Sequence, residues 1–533
     1  MIVDLKPFPI LFYIFLLAIL GYVVLPSYRV LLHQIRQWMD KQNENLLGLI
    51  FAILCGVLAM IAITGGHNYG DDYTAYIAQA MALSDGNLQT WYENNHWIIS
   101  HSIAGLGPDV YPWGFPLMLI PLYKLFGVNF LAFKCLIGLC FVLATFYIYK
   151  LYAAHISQSM AVILMLISGL NRAINKAVDE VTSNIPSLFF TFLTIYVIDR
   201  YVRLGKRNTK NAILIGLLCF FLVELRQANI TILLALFIVD LLYLFQLLKK
   251  RKSLTKEAFG KEIRIGVTPY VVFLVGFVLF RLLFLNAGNT YGSYYNFSLS
   301  FMIRNCIYYY MAIGIYLCDF FQAYSISRFV VHALSLFALF ITGIGAFKRF
   351  KKDQYLIAFV FVNIVMLLPF EGYLASAYMY PIFPICVLFG YYGCQEIQSW
   401  VSKGIFLKGL KAIVSALLVA LCIYDLYVAY EVRSGEYALN EAFSKEALDA
   451  YDYINENITD DKIIVFFKPR LLYFVTGNKS YNCYISEEAM QQANYVFVSS
   501  AQEDYNDMLD YLHNHSYNTI YQNTIFSLWQ PAQ

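Results

Sequence analysis

Long apolar segments separated by short polar loops recur along most of the chain. A membrane-spanning helix needs roughly 20 mainly apolar residues, and about twelve segments approach that length. These spans are predicted over 8–32, 46–64, 129–149, 157–175, 182–202, 211–225, 227–248, 266–286, 327–347, 355–370, 378–396 and 410–430. The apolar segment 111–127 is interrupted by Pro112, Pro116 and Pro121, which predicts a half-inserted or interfacial helix.

Lysine and arginine are concentrated in alternate loops between these segments. The basic loops contain Arg36 and Lys41, Lys150, Arg203 to Lys210, Lys249 to Lys252, Lys348 to Lys352, and Lys403 with Lys408. Loops rich in these residues lie in the cytoplasm. The stretch 65–112 contains no Lys or Arg. The alternation therefore predicts an external loop over 65–128 and, with twelve spans, an external C-terminal part.

The hydrophobic pattern changes after residue 430. Polar positions become frequent, and 444–457 is typical of a helix capped by Ser444. The segments 462–467 and 495–499 are typical of strands, and 504–514 of another helix. We therefore expect an all-α polytopic membrane part over 1–430 and a small external α/β domain over 431–533.

Composition agrees with this division and excludes other classes of protein. Of 533 residues, 59% are hydrophobic and only 14% are charged, whereas soluble domains are about a quarter charged. A net charge of +3 does not suggest a nucleic-acid partner. The ten cysteines form no CxxC pair and are interpreted as small buried hydrophobes. Membrane lipids are the surrounding partner that this composition implies.

Two adjacent carboxylates open a predicted helix in the first external loop. Asp71 and Asp72 precede a segment in which Tyr76, Ala80 and Leu83 fall on roughly one helical face. Such carboxylates can act as a general base or bind a divalent cation. Aspartate is also a favoured helix cap, so a purely structural role for one of them stays open.

The spacing around these acids resembles the first-loop signature of GT-C-type membrane glycosyltransferases of glycosyltransferase family 39. That family includes protein O-mannosyltransferases and lipid A aminoarabinose transferases, and its usual form is Asp-Glu-x-x-Tyr/Phe. Here Asp72 takes the Asp position, Tyr73 the Glu position and Tyr76 the aromatic position. The resemblance implies that Asp72 is the essential acid, while Asp71 could share or take that role.

A second segment at the expected distance is similar to the proline-rich segment of the same family. It runs Tyr-Pro-Trp-Gly-Phe-Pro over 111–116 and Pro-Leu-Tyr-Lys-Leu-Phe-Gly over 121–127. Prolines remove amide donors and kink a helix, and such backbone is tolerated at membrane depth where it lines a cavity. Tyr111 and Pro112 are therefore expected in the substrate pocket, together with Tyr76. An ordinary kinked interfacial helix is the alternative.

Arg226 interrupts the apolar stretch 212–247. The basic loops on both sides place it in an external turn, and it resembles the arginine in the family's "ltRpe" turn. A planar guanidinium suits a phosphate oxyanion, so the resemblance makes Arg226 a ligand for the donor phosphate. Pairing with Glu224, or interaction with lipid headgroups, is the alternative.

Two motifs depart from the family pattern. In the segment 183–186, Asn184 occupies the position of an acid, and the candidate substitutes for that acid are Asp179 and Glu180. In the segment 378–384, which includes the pocket residue Tyr378, Ala377 stands where arginine is usual. One phosphate contact is then either missing or supplied elsewhere, for example by Arg304 or Arg328. The C-terminal segments 444–457, 465–470 and 476–478 resemble the soluble external domain of bacterial members.

The resemblance implies a function at the outer face of a bacterial cytoplasmic membrane. A polyprenyl-phosphate sugar would donate a hexose or pentose to a lipid, glycan or protein acceptor, with no certain cofactor and a divalent cation as an open possibility. A transporter or flippase is the alternative, although it predicts inverted repeats that we do not find. A catalytically silent scaffold is a third. His67, His96, His101 and Glu93 lack metal-ligand spacing, so no metal site is predicted.

Overall fold

The computed structural model describes residues 26–103, 106–253, 255–284, 295–322, 328–371, 376–400, 427 and 441–532. Up to residue 400 these residues fold almost entirely as packed helices. The longer helices are Pro26–Asp40, Glu44–Ile61, Asp72–Asp85, Leu88–His101, Gly114–Phe126, Phe130–Ala153, Gln158–Gly169, Asn184–Arg203, Thr209–Leu225, Ile230–Lys249, Lys256–Leu283, Leu299–Gln322, Arg328–Arg349, Gln354–Leu367 and Phe383–Trp400.

Several of these helices can cross a membrane. Within the described residues, five are long and apolar enough, and a sixth span results if the bent pair Gln158–Gly169 and Arg172–Asp179 is counted as one. All six fall on predicted spans, so the chain is a multi-pass membrane protein. The predicted span 8–32 is described only from residue 26 onward, and the span 410–430 only at residue 427.

The helix Leu299–Gln322 was not predicted from the sequence. It is 24 residues long, but Arg304, Asn305 and Asp319 interrupt its apolar pattern. Asn305 is buried and donates hydrogen bonds to the backbone oxygens of Leu368 and Phe370. A search for continuous apolar runs therefore misses this helix, because polar groups interrupt the run and form hydrogen bonds with neighbouring backbone.

Close approach of two helices depends on glycine. The helices Arg328–Arg349 and Phe383–Trp400 pack closely together. A Cβ atom at Gly345 would lie 1.9 Å from the carbonyl oxygen of Phe389, and one at Gly393 would lie 1.9 Å from that of Ile341. Any larger residue at either position would push the two helices apart.

The C-terminal part contains a five-stranded mixed sheet. From one edge to the other its strands are Ser480–Tyr481, Ile464–Val465, Tyr495–Ser499, Phe526–Pro531 and Tyr517–Gln522. The first three are parallel and the last two pairings are antiparallel. The helices Lys445–Asn457, Pro469–Thr476 and Tyr505–Asn514 accompany the sheet. The Ser444 side chain accepts a hydrogen bond from the backbone N–H of Ala447, as predicted for a cap. The boundary near residue 430 lies outside the described residues and stays a prediction.

This α/β part packs directly on the first loop of the membrane part. The rings of Tyr69 and Phe467 lie 5.1 Å apart, and Asn94 donates a 2.7 Å hydrogen bond to the hydroxyl of Tyr473. The backbone N–H of Ile103 donates to the backbone oxygen of Asn482 at 3.2 Å. The C-terminal part therefore contacts the first loop both before and after Asp71 and Asp72.

Candidate active site

The helix Asp72–Asp85 positions the acid pair, but neither carboxylate serves as its cap. Asp71 occupies the N-cap position and makes no side-chain cap hydrogen bond. The carboxylate of Asp72 instead accepts a 2.6 Å hydrogen bond from the hydroxyl of Tyr111. The capping role that the sequence left open is therefore not present in the structure.

Tyr111 holds Asp72 in place while leaving it exposed to solvent. The side-chain amide of Gln79 donates to the backbone oxygen of Tyr111 at 2.9 Å and accepts from its N–H at 3.0 Å. Tyr111 and Gln79 are both buried, whereas Asp72 is exposed. A buried tyrosine thus orients a carboxylate that is itself open to solvent.

Asp71 lies in a very different environment from its neighbour. Its Oδ1 atom is buried and has no hydrogen-bond partner among the described residues. Burial raises the pKa of Asp71 to about 6, an effect that the positive charges of Lys468 and Arg470 oppose and the charge of Asp72 reinforces. Two adjacent carboxylates with different environments can take different protonation states.

The loop before the acid pair is fixed by a neutral histidine. Nε2 of His67 accepts a 3.0 Å hydrogen bond from the backbone N–H of Val181, and its ring stacks on Tyr73 at 3.6 Å between centroids. Burial and the charge of Lys134 lower the pKa of His67 to about 3. His67 is therefore an uncharged positioning group. Among the described residues, no group of three His, Cys, Asp or Glu side chains could hold a metal ion.

A buried ion pair also fixes the loop before the acid pair. Lys134, which is fully buried, donates to Asp179 and to the backbone oxygen of Gly66, both at 2.6 Å. Asp179 also accepts the N–H of Thr64 at 2.7 Å. Asp179 is thus engaged by a buried cation and by a backbone amide. Glu180 is the other candidate for the missing acid. Burial raises its pKa, and the negative charge of Asp72 contributes to that rise.

A chain of side-chain contacts connects the acid helix with Arg226. Tyr76, one turn after Asp72, lies with its hydroxyl 3.0 Å from the hydroxyl of Ser183. The next residue, Asn184, accepts a hydrogen bond from the guanidinium of Arg226. The predicted acid and the predicted phosphate ligand therefore lie on either side of the Tyr76–Ser183 contact.

Arg226 also lies against one of the predicted pocket aromatics. Its Cζ atom is 5.4 Å from the ring centroid of Tyr378. Glu224, proposed as an alternative partner of Arg226, instead forms a 3.0 Å ion pair with Arg281. The partner of Arg226 in the segment 183–186, Asn184, is a neutral amide.

The two other predicted phosphate ligands differ in what the structure shows of them. Arg304 is exposed, and its Cζ atom lies 4.3 Å from the ring centroid of Phe301. Arg328 begins the helix Arg328–Arg349, but its side chain lies outside the described residues. Neither is connected to the acid pair by a described contact.

The proline-rich segment packs against the turn that carries Arg226. Pro112 is buried, and the helix Gly114–Phe126 continues through Pro121. A Cβ atom at Gly114 would lie 2.6 Å from the backbone oxygen of Glu224. The first loop and the Arg226 turn therefore approach each other at a glycine that has no room for a side chain.

Replacing this glycine is expected to separate the two segments. Gly114→Ala should destabilise the protein by about 1–3 kcal/mol, because neighbouring backbone must move to accept the methyl group. Thermal unfolding in detergent measures the change. Gly65→Ala is the control, since a Cβ atom there has nothing within 4 Å, and equal unfolding temperatures for the two variants would contradict the expectation.

Arg470 is a site residue whose position the sequence did not reveal. It belongs to the C-terminal helix Pro469–Thr476 and is only 3% exposed. Its guanidinium donates to Asn95 at 3.0 Å, to the backbone oxygens of Gly107 and Pro108 at 2.9 Å each, and to the Tyr111 hydroxyl at 3.5 Å. Tyr111 therefore receives a hydrogen bond from the C-terminal part and donates one to Asp72. From the sequence alone, the segment 465–470 offers only its family resemblance.

No protein-family model matches the sequence, and none of the curated proteins matches it. Solved structures do match. ArnT from Cupriavidus metallidurans bound to undecaprenyl phosphate is 11% identical with a TM-score of 0.52, and the match covers 90% of this chain and 97% of that one. ArnT from the same organism in the apo state is 10% identical with a TM-score of 0.53 and the same coverage. The chain therefore has an ArnT-like GT-C-type membrane fold with a small C-terminal sheet, as predicted.

Proposed function

We propose that this protein is a glycosyltransferase that moves a sugar from a polyprenyl-phosphate donor to an acceptor at the outer face of a bacterial cytoplasmic membrane. The observation that carries the proposal is the contact between Tyr76 and Ser183, which brings the Asp72 helix beside Asn184 and Arg226. A proton acceptor and a phosphate-binding cation are the two groups that such a transfer needs. The ArnT structure with undecaprenyl phosphate supports the lipid class of the donor.

In the proposed reaction Asp72 accepts the proton of an acceptor hydroxyl. The acceptor oxygen forms a bond to the anomeric carbon, and the bond between that carbon and the lipid-phosphate oxygen breaks. The lipid phosphate leaves with the electron pair, and Arg226 stabilises its charge. Tyr111 keeps the Asp72 carboxylate oriented through its 2.6 Å hydrogen bond.

The direct test is transfer by the purified full-length protein. Radiolabelled polyprenyl-phosphate sugars are incubated with membrane extract, and labelled acceptor is measured for wild type and for Asp72→Asn. Transfer that depends on Asp72 supports the proposal. Movement of intact labelled donor between leaflets without transfer would favour the transporter alternative.

Arg226 is expected to act on the donor rather than on the acceptor. Arg226→Lys should weaken the use of donor about tenfold, because Lys lacks the planar fork that contacts two phosphate oxygens. Arg226→Ala should weaken the use of donor by about one to two decades, because a charge-assisted hydrogen bond is lost. Donor-titration kinetics measure both effects.

Arg281→Lys is the matched control for that experiment. It makes the same chemical change at a neighbouring arginine whose partner is the carboxylate of Glu224, and the donor dependence should stay close to wild type. An unchanged donor dependence in Arg226→Ala would remove Arg226 from phosphate binding.

Asp71 is expected to set the acid side of the pH profile. Its raised pKa keeps it protonated below about pH 6 and ionised above that value. When ionised, its negative charge lies beside the Asp72 carboxylate and favours movement of the acceptor proton to this acid pair. Transfer should therefore fall as the pH drops through about 6, which is the acid limb of the pH profile. The variant Asp71→Asn should retain activity, but its activity should depend less on pH over this limb. An identical limb in the Asp71→Asn variant would exclude Asp71 as its origin.

A further inference from the structure

A second charged site lies at the end of the helices remote from Asp72. The helix Asn184–Arg203 begins beside Arg226 and has 20 residues, so its two ends are roughly 30 Å apart. At its far end is a cavity of ≈ 570 Å³. The cavity is lined by Val202, Arg203, Arg349, Lys351, Lys352 and Gln354.

Both arginines of this cavity are fixed by buried carboxylates. Nε and Nη2 of Arg203 donate to the carboxylate of Asp199 at 2.9–3.1 Å, and Nη2 also donates to the backbone oxygen of Ala154. Nε and Nη2 of Arg349 donate to Asp353 at 2.7 and 3.3 Å. No described hydrogen bond uses Nη1 of either arginine, so each guanidinium retains donors for a ligand.

A buried histidine joins the two arginine–carboxylate pairs. Nε2 of His155 lies 3.1 Å from Asp199, and Nδ1 lies 3.5 Å from Asp353. The side chains of His155 and Asp353 are fully buried, and that of Asp199 is 3% exposed. The arginine side chains remain 18% and 19% exposed. The two guanidiniums are thus held in a fixed relation in a partly desolvated recess.

The wall of the cavity carries an excess of positive charge. Lys351 and Lys352 have no ion pair among the described residues, and the two arginines are opposed only by Asp199 and Asp353. Four cations against two carboxylates leave two positive charges uncompensated. A recess of this charge attracts an anion with several oxygen acceptors.

We propose that this cavity is a binding site for a phosphate group, carried either by an anionic lipid headgroup or by a soluble phosphate compound. Two oriented guanidiniums suit a tetrahedral oxyanion because the Nη1 group left on each can donate hydrogen bonds to its oxygens. The volume lies within the range of about 300–1,000 Å³ that is typical of small-molecule sites. Basic pockets between membrane helices on the cytoplasmic side bind anionic headgroups, and the basic loops assign this face to the cytoplasm.

This site is distinct from an ordinary basic loop. Lys206 and Lys210 belong to the same face but are exposed, and Lys348 is 62% exposed and pairs with Glu396. None of these three lines the cavity. The proposed transfer reaction takes place at the opposite ends of the helices, so binding at this site is independent of it.

Titration calorimetry of the full-length protein in neutral detergent tests the site. The probes are dioctanoyl phosphatidylglycerol, dioctanoyl phosphatidylcholine and inorganic phosphate. The test variant is Lys351→Gln with Lys352→Gln, which removes two exposed charges without touching the buried pairs. The control variant is Lys206→Gln with Lys210→Gln, which removes the same charge outside the cavity.

We expect one phosphatidylglycerol per protein, no binding of phosphatidylcholine, and a loss of affinity of about tenfold or more in the test variant alone. Competition by inorganic phosphate would show that the phosphate is the recognised group. Binding of inorganic phosphate without the lipid would support the site and assign it to a soluble ligand. An equal loss of affinity in both variants would show that general surface charge, not this cavity, attracts the lipid, and would overturn the proposal. Absence of binding by every probe would overturn it as well.

Discussion

Asp72→Asn is expected to lower the turnover of sugar transfer by about 10²- to 10⁴-fold, the usual contribution of a positioned general base. Asparagine has nearly the same shape and its side-chain oxygen can still accept the hydrogen bond from Tyr111, so the geometry of the loop should persist. It cannot accept the proton of an acceptor hydroxyl. Turnover at saturating donor, with thermal unfolding measured in parallel, separates lost chemistry from lost folding.

Asp85→Asn is the matched control for this variant. Asp85 is an exposed carboxylate at the other end of the same helix and accepts a 2.8 Å hydrogen bond from Tyr123. Its replacement should leave turnover almost unchanged. Near-normal turnover of Asp72→Asn would contradict the assignment of the base and transfer that role to Asp71.

The local features around the acid pair could be predicted because short-range rules decide them. The helix begins at Asp72 and ends at Asp85, and the next residue, Gly86, has a φ of 77° that suits glycine. The same holds for the helix capped by Ser444. Each of these signals lies within one helical turn of the feature that it predicts.

The partners of the site residues could not be predicted in this way. Arg470 and Asn95 are 375 positions apart in the sequence, and Ser183 and Tyr76 are 107 apart. No periodicity or cap connects such positions, because their contact results from the packing of whole elements. An arginine directly after a proline, in the otherwise apolar segment 463–475, was the available signal, and by itself it does not identify a partner.

Arg470, which belongs to the C-terminal part, is expected to influence sugar transfer through its contacts with the first loop. Arg470→Lys retains the charge but loses the fork that contacts Asn95, Gly107 and Pro108. The Tyr111 hydroxyl would then be displaced together with the Asp72 carboxylate. A shift of about 1 Å in a reacting group can cost roughly 10²-fold, so turnover should fall by at least that factor.

The pH profile distinguishes this positioning role from simple damage to the fold. The positive charges of Lys468 and Arg470 lower the pKa of Asp71, so removing either charge must raise it. Arg470→Gln should therefore lower turnover and also move the acid limb above pH 6, whereas Arg470→Lys should lower turnover with the limb in place. Lys468→Gln is the matched control, because Lys468 is less buried and makes none of the contacts of Arg470 to the first loop. It should move the limb upwards with little loss of turnover at high pH. If all three variants lost turnover equally, with their profiles unmoved, Arg470 would act only by holding the two parts of the protein together.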